Sequence, residues 1–247
     1  MIPVLLLKNK GLVKSTKFKD HRYIGDPINA VKIFNDLKAD ELAFVDILAS
    51  KEGRMISLDF VSKVGEEANM PFAVGGGISS IDDIQKIIAA GAEKVIINSQ
   101  ALNLSFIREA AGTFGSSTIV VCIDVKKKLF GKNQTWTLAG EQASGYSPVD
   151  FARIMQDNGA GELIVQSIEH DGMMRGYDIP LVKTVSEAVT IPVIALGGAG
   201  NLSDMKQAYV EAFANGLAAG SMFVYHGPRK GILINYPDYE ELRAITK

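Results

Sequence analysis

Short apolar runs alternate with amphipathic stretches from one end of the chain to the other. The runs fall at residues 2–7, 42–48, 71–74, 94–97, 117–123, 162–166, 192–196 and 217–219. Several are apolar throughout, as parallel strands covered on both faces are. Helical periodicity fills the gaps at 28–38, 56–68, 80–90, 103–113, 147–158, 178–188, 203–212 and 237–246. Residues 80–90 show the pattern: Ser80 can cap, Asp83 sits three residues on, and Ile81, Ile84, Ile87 and Ile88 mark one apolar face. Eight strand–helix alternations predict a parallel sheet with helical crossovers, and eight strands can close a barrel.

A weak internal repeat strengthens this reading. Pro71-Phe-Ala-Val-Gly-Gly-Gly-Ile78 corresponds to Pro192-Val-Ile-Ala-Leu-Gly-Gly-Ala199, and each precedes a capped helix and a strand ending in Asn98-Ser99 or Gly220-Ser221. The offset is 121 residues at the proline and 122 at the serine; residues 4–8 and 122–126 correspond at 118. The sequence therefore predicts one (β/α)8 barrel, a TIM barrel, over residues 1–247, built from two similar half-barrels of four units each. An open doubly wound sheet does not predict a half-chain repeat. Two stretches break the pattern. Residues 8–27 read as a long polar loop after the first strand, and residues 125–146, with Trp136, as a second loop or a hairpin after the fifth. Both are expected at the catalytic end, where long loops cover substrate.

Composition narrows the function. The formal net charge is −2, the basic residues are scattered along the chain, and Lys126-Lys127-Lys128 is too short a run to form a basic stripe, so no nucleic-acid partner is expected. The lone Cys122 lies in an apolar run and reads as a buried core thiol, which fits a reducing cytoplasm. Met1–Lys8 lacks the features of a signal peptide, and no run has the length of a membrane span, so a cytoplasmic location away from membranes is expected. His21, His170 and His226 have no metal-ligand spacing; neither metal nor cofactor is expected.

Glycines between a strand and a helix start let the backbone approach an anion, and the helix supplies unpaired N–H groups. Gly75-Gly76-Gly77 and Gly197-Gly198-Ala199-Gly200 occupy such positions, with Asn98-Ser99 and Gly220-Ser221 one strand later. The seventh and eighth strands hold the familiar phosphate site of this fold, and the repeat implies a second one across the mouth. Two turns in register favour phosphate over mere tight turns and suit a substrate with a phosphate at each end. Neither turn matches a nucleoside-triphosphate or dinucleotide motif. Asp124, Asp46 and Asp171 fall at strand C-terminal ends, where carboxylates serve as acids or bases or as structural acceptors. Lys8 and Lys14 lie in or near the first loop, where a solvated surface lysine is the default reading and closure over a phosphate the alternative.

Taken in order, Ile2-Pro3, Gly11-Leu-Val-Lys14, Gly25-Asp-Pro27, Val74-Gly-Gly-Gly-Ile78, Lys94-Val-Ile-Ile-Asn98, Ile123-Asp-Val-Lys126, Asp171-Gly172, Gly176-Tyr-Asp178 and Gly197-Gly-Ala-Gly200 resemble the cyclase subunit of imidazole glycerol phosphate synthase over nearly the whole chain. That family takes ammonia from a separate glutaminase subunit at the N-terminal barrel face. The resemblance implies a heterodimer with a glutaminase, passage of ammonia through the barrel, and reaction with a bis-phosphorylated ribulosyl aminoimidazole substrate. It implies phosphate binding by Gly77, Asn98 and Ser99 at one end and by Gly172, Gly198, Gly220 and Ser221 at the other. Asp124 is the implied catalytic acid–base, Lys14 the mobile-loop lysine, and Glu41, Lys94 and Glu162 the charges around the ammonia entrance.

The departures are specific. The family's other catalytic aspartate falls on Leu6, its loop Asp-Gly-Arg on Asn9-Lys10-Gly11, a small hydroxyl residue on Gln166 and a serine on Leu196. An entrance arginine would fall before Met1. Leucine transfers no proton, and general acid–base catalysis contributes about 10²–10⁴-fold. The pattern resembles a divergent branch that pairs with a glutaminase and a sugar amidotransferase-like enzyme in surface-polysaccharide pathways. The readings kept open are a histidine-pathway cyclase, an ammonia relay for sugar amidation, and a non-catalytic phosphate-binding scaffold subunit. A sugar-phosphate isomerase on the sister fold is disfavoured by the same Leu6, and a flavin-binding barrel is more distant.

Overall fold

The computed structural model describes residues 1–127 and 131–245; Lys128 of the basic run and Thr246 at the end of the last predicted helix lie outside the described residues. In chain order the first half comprises β1 (Ile2–Lys8), β2 (Gly11–Thr16), β3 (Lys19–Gly25), α1 (Pro27–Asp36), β4 (Leu42–Asp46), α2 (Leu58–Glu67), β5 (Phe72–Gly75), α3 (Ile81–Ala89), β6 (Lys94–Ile97) and α4 (Leu104–Phe114). The second comprises β7 (Ile119–Lys127), β8 (Asn133–Thr137), β9 (Gln142–Ala143), α5 (Pro148–Asp157), β10 (Glu162–Ser167), α6 (Ile179–Ser186), β11 (Val193–Leu196), α7 (Leu202–Ala212) and β12 (Gly216–Ala219). The chain then runs through the small pair β13 (Tyr225–His226) and β14 (Gly231–Ile232) into α8 (Tyr239–Ile245).

The parallel pairings β1–β4–β5–β6–β7–β10–β11–β12 return to β1, so the sheet closes into a (β/α)8 barrel. Alternation along the strands explains the closure. On β1, Leu5 and Leu7 pack outward against the helices, while Val4 and Leu6 face the lumen. The lumen group continues through Ala43, Ala73, Ile96, Val120, Ile164, Ile194 and Ala218. Helix starts are fixed locally. Ser80 and Asn201 form full capping boxes with Asp83 and Asp204, and Asp26, Ser147 and Asp178 cap helices with proline at the first or second position.

The two irregular stretches are hairpins. Residues 8–27 are not the polar loop that their composition predicts: β2 continues antiparallel from β1, and β3 pairs with β2. The second of their turns lacks the usual signals. Asn9 takes φ 59°, and the second turn puts Lys17 and Phe18 at φ 54° and 61° with no glycine or asparagine. After the fifth barrel strand, β7 runs on past residue 123 to Lys127 and pairs antiparallel with β8.

Basic residues scattered along the sequence are gathered by the fold. Lys10, Lys17, Lys19, Arg22, Lys51, Arg54, Lys127, Lys132, Arg175, Arg229 and Lys230 are all exposed on segments beyond strand C-terminal ends. On the same segments the exposed acids are Asp20, Asp26, Glu52, Glu141 and Asp238 among the described residues. This face is basic although the chain is not, because each βα connection returns to it.

Candidate active site at the barrel mouth

The first glycine turn is built by close approach. Gly77 takes φ +65°, and a Cβ there would lie 1.8 Å from the Arg54 carbonyl oxygen, so the backbone of the β4–α2 connection occupies the space a side chain would need. Asp46 organises that connection. Its Oδ1 accepts from the backbone N–H groups of Leu48 and Ala49 at 3.0 and 3.2 Å, and its Oδ2 receives Arg54 Nη1 at 2.6 Å. Asp46 therefore acts as a structural acceptor, committed on both oxygens.

This turn opens into a cavity of about 490 Å³. Gly77, Asn98, Ser99 and Asp124 line it together, as do Leu6, Cys122, Gln166 and Leu196 on the floor and His21, Lys51 and Arg54 toward the rim. Asn98 Nδ2 donates to Asp124 Oδ2 at 3.2 Å and to the Cys122 carbonyl at 3.0 Å. Burial pushes the Asp124 carboxyl up to about 7; the Cys122 thiol, 3.5 Å from Oδ1, counteracts this and the Asp171 charge adds to it. An acid poised near neutrality is suited to give or take a proton. Burial, then the Asp124 charge, pushes the Cys122 thiol up, away from reactive thiolate. The thiol is buried, as its apolar run predicts, yet it also lines the cavity.

A smaller recess adjoins this cavity and shares Val4, Leu6, Ser15, Gln166 and Leu196 with it. Gly172, Gly198, Gly220 and Ser221 meet here, with Lys14 and Asp171. At Gly198, with φ +116°, a Cβ would lie 2.1 Å from the Gly176 carbonyl oxygen, another turn open only to glycine. Lys14 is not a solvated loop residue. It is 4% exposed on β2, its Nζ donates to the Val4 carbonyl, and a Cβ on Gly220 would lie 2.6 Å from that Nζ. Burial brings its pKa down to about 8 against the pull of the Asp171 charge. Burial likewise raises the Asp171 carboxyl, which accepts from Ser15 Oγ and the Phe18 N–H. Leu6 sits in the wall shared by the two recesses and leaves an apolar patch between them.

Glu41, Lys94 and Glu162 stand at the opposite, N-terminal end of the strands. Lys94 Nζ lies 2.8 Å from Glu162 and 3.4 Å from Glu41. Burial opposes the Lys94 charge, but the Glu162 bond and both carboxylates hold its pKa above the usual value. Burial raises Glu41.

Sequence reasoning missed Arg54, Lys51, Ser15 and Phe18. Arg54 and Lys51 come from an unpatterned loop, and Ser15 and Phe18 from a hairpin read as loop. Among the described residues, no group of His, Cys, Asp and Glu is arranged to hold a metal ion, and no helix is long and apolar enough to cross a membrane.

A family model described as histidine biosynthesis protein matches residues 1–228. A Pseudomonas aeruginosa protein provisionally named imidazole glycerol phosphate synthase subunit hisF2 is 41% identical over 243 residues, covering 98% of this chain and 97% of its own. A Vibrio vulnificus protein provisionally named as subunit hisF3 of the same synthase is 41% identical over 249 residues, covering 100% and 96%. The Alkaliphilus metalliredigens imidazole glycerol phosphate synthase subunit HisF is 42% identical over 227 residues, covering 92% and 90%. With the closed barrel, the paired glycine turns and these matches, the chain belongs to the histidine biosynthesis protein family and is similar to its HisF-type subunits.

Proposed function

We propose that this barrel takes ammonia from a glutaminase subunit docked on its N-terminal face and delivers it to a cavity where a phosphorylated ligand is held at the glycine turns. The observation that carries this is the order of groups along the barrel axis. A charged ring of Glu41, Lys94 and Glu162 leads into an apolar lumen, and the lumen leads to Asp124. Neutral ammonia crosses an apolar lumen at little cost, whereas ammonium pays a large desolvation penalty. At the mouth, Gly77, Asn98 and Ser99 face one phosphate and Gly172, Gly198, Gly220 and Ser221 the other, with Lys14 beside the second. The basic rim attracts such an anion.

Leu6 decides what happens next. A cyclisation that needs two proton-transfer groups finds only Asp124 here, which favours an ammonia relay to a sugar amidotransferase-like enzyme over cyclase turnover by this chain.

The test supplies ammonium salt and the bis-phosphorylated ribulosyl aminoimidazole substrate to the native protein and to Leu6→Asp, following substrate loss by absorbance. No native turnover with activity gained in Leu6→Asp supports the relay. Native turnover at a rate typical of the family overturns it in favour of histidine-pathway cyclisation. Inactivity of both proteins, with phosphate binding intact, favours the scaffold reading.

A further inference from the structure

We propose that Asp171 is a positioning residue that latches the β2–β3 hairpin to the barrel, so that the anion site at the second glycine turn is completed by Lys14 only when the latch is made. This rests on the phosphate reading of that turn and adds the device that assembles it.

Three bonds converge on Asp171 from a segment more than 150 residues away in sequence. One carboxylate oxygen, Oδ2, accepts from Ser15 Oγ at 2.7 Å and from the Phe18 N–H at 3.2 Å. The Asp171 carbonyl accepts from the Lys17 N–H at 3.0 Å. The two backbone donors belong to Lys17 and Phe18, the consecutive left-handed residues of the hairpin turn. A turn of that type is normally eased by glycine or asparagine, and side-chain-bearing residues pay for it in strain. Asp171 thus holds a turn whose own sequence does not favour its shape. The contact is also a backbone contact. A Cβ at Gly172 would lie 2.0 Å from the Ser15 carbonyl oxygen, so only glycine lets the hairpin sit down on this loop.

The consequence reaches Lys14, the neighbour of Ser15. With the hairpin seated, the Lys14 ammonium lies between the Val4 carbonyl and Gly220. It donates to a single protein acceptor among the described residues, and an ammonium carries three donors. The remaining donors face the recess that Gly172, Gly198, Gly220 and Ser221 line. An oxyanion there completes the hydrogen bonding of a buried cation. Asp171 lines the same recess, but its Oδ2 is committed to Ser15 and Phe18 of the hairpin, and as a carboxylate it does not attract an anion, so it acts on the site through the placing of Lys14.

The experiment uses the full chain with inorganic phosphate as probe. Phosphate affinity is measured by calorimetry, and trypsin cleavage after Lys17 and Lys19 is followed by mass spectrometry with and without phosphate. Lys14→Met identifies which binding event belongs to the second turn. Asp171→Ala is expected to weaken that event about tenfold and to speed hairpin cleavage by a similar factor, the size expected for lost charge-assisted bonds. Asp171→Asn is expected to recover most of both, because its amide oxygen still accepts from Ser15 and Phe18. Native affinity together with native protection in Asp171→Ala overturns the latch. Absence of any phosphate binding by the native protein overturns the phosphate reading instead, and hairpin cleavage then decides the latch on its own.

Discussion

Asn98 and Asp124 are joined by a 3.2 Å bond between an amide N–H and a buried carboxyl oxygen. Asn98 lines the cavity beside the first glycine turn and Asp124 lines the same cavity. On the proposed reading, one side chain thus links the anion site to the group that would transfer a proton.

Asp124 ties stability to pH. A carboxyl moved from 3.8 to about 7 is protonated in the folded state and charged in the unfolded state between those values. Its contribution is complete below about 4 and is lost as pH rises through about 7. The loss amounts to roughly 4 kcal/mol at most. Asp124→Asn is expected to gain on the native protein as pH rises from 5 to 8 and to level off above that. Parallel denaturation curves at each pH would check it; a difference independent of pH contradicts the raised value.

The entrance triad predicts a lopsided mutational cost. Lys94→Met leaves Glu41 and Glu162 facing each other, half-buried and unpaired, and is expected to destabilise by about 2–3 kcal/mol at pH 7.5. Because burial already raises the Glu41 pKa, and removing the Lys94 charge raises it further, lowering the pH from 7.5 to 5.5 is expected to narrow the deficit. Urea denaturation at the two pH values measures this.

Gly77 and Gly112 should respond in opposite directions to the same change. Gly77→Ala forces a Cβ against the Arg54 carbonyl at positive φ, and is expected to cost more than about 2 kcal/mol and abolish phosphate binding at the first turn. Gly112 lies in α4 with open space around it, so Gly112→Ala is expected to stabilise by about 0.5–1 kcal/mol. Thermal melts of the pair, with phosphate titrations, test both.

The barrel was legible because its strands and helices bury apolar faces with fixed periods, and capping residues such as Ser80 and Asn201 mark helix starts on their own. The glycine turns were legible too, since Gly77 and Gly198 occupy positive-φ positions that few other residues tolerate. The β2–β3 hairpin was not. The β3 segment is exposed along most of its length, so it shows no alternation, and its turn residues Lys17 and Phe18 carry no turn signal. Lys14 read as solvated because burial of a lysine depends on what closes over it, here Val4 on the paired strand β1 and Gly220 beyond the distant β12. Arg54 owes its place to Asp46, a pairing across an irregular connection that no periodicity encodes.

The basic face at the barrel mouth has a consequence for encounters in solution. With a net charge of only −2, the molecule exerts little overall pull on a charged neighbour. The exposed basic residues gathered on the connections nonetheless put positive charge around the mouth. An anion approaching within a Debye length exerts a torque before it makes contact, turning the open end of the barrel toward itself. Added salt would then lower the fraction of collisions that arrive mouth-first while leaving the contacts within the cavity largely unchanged.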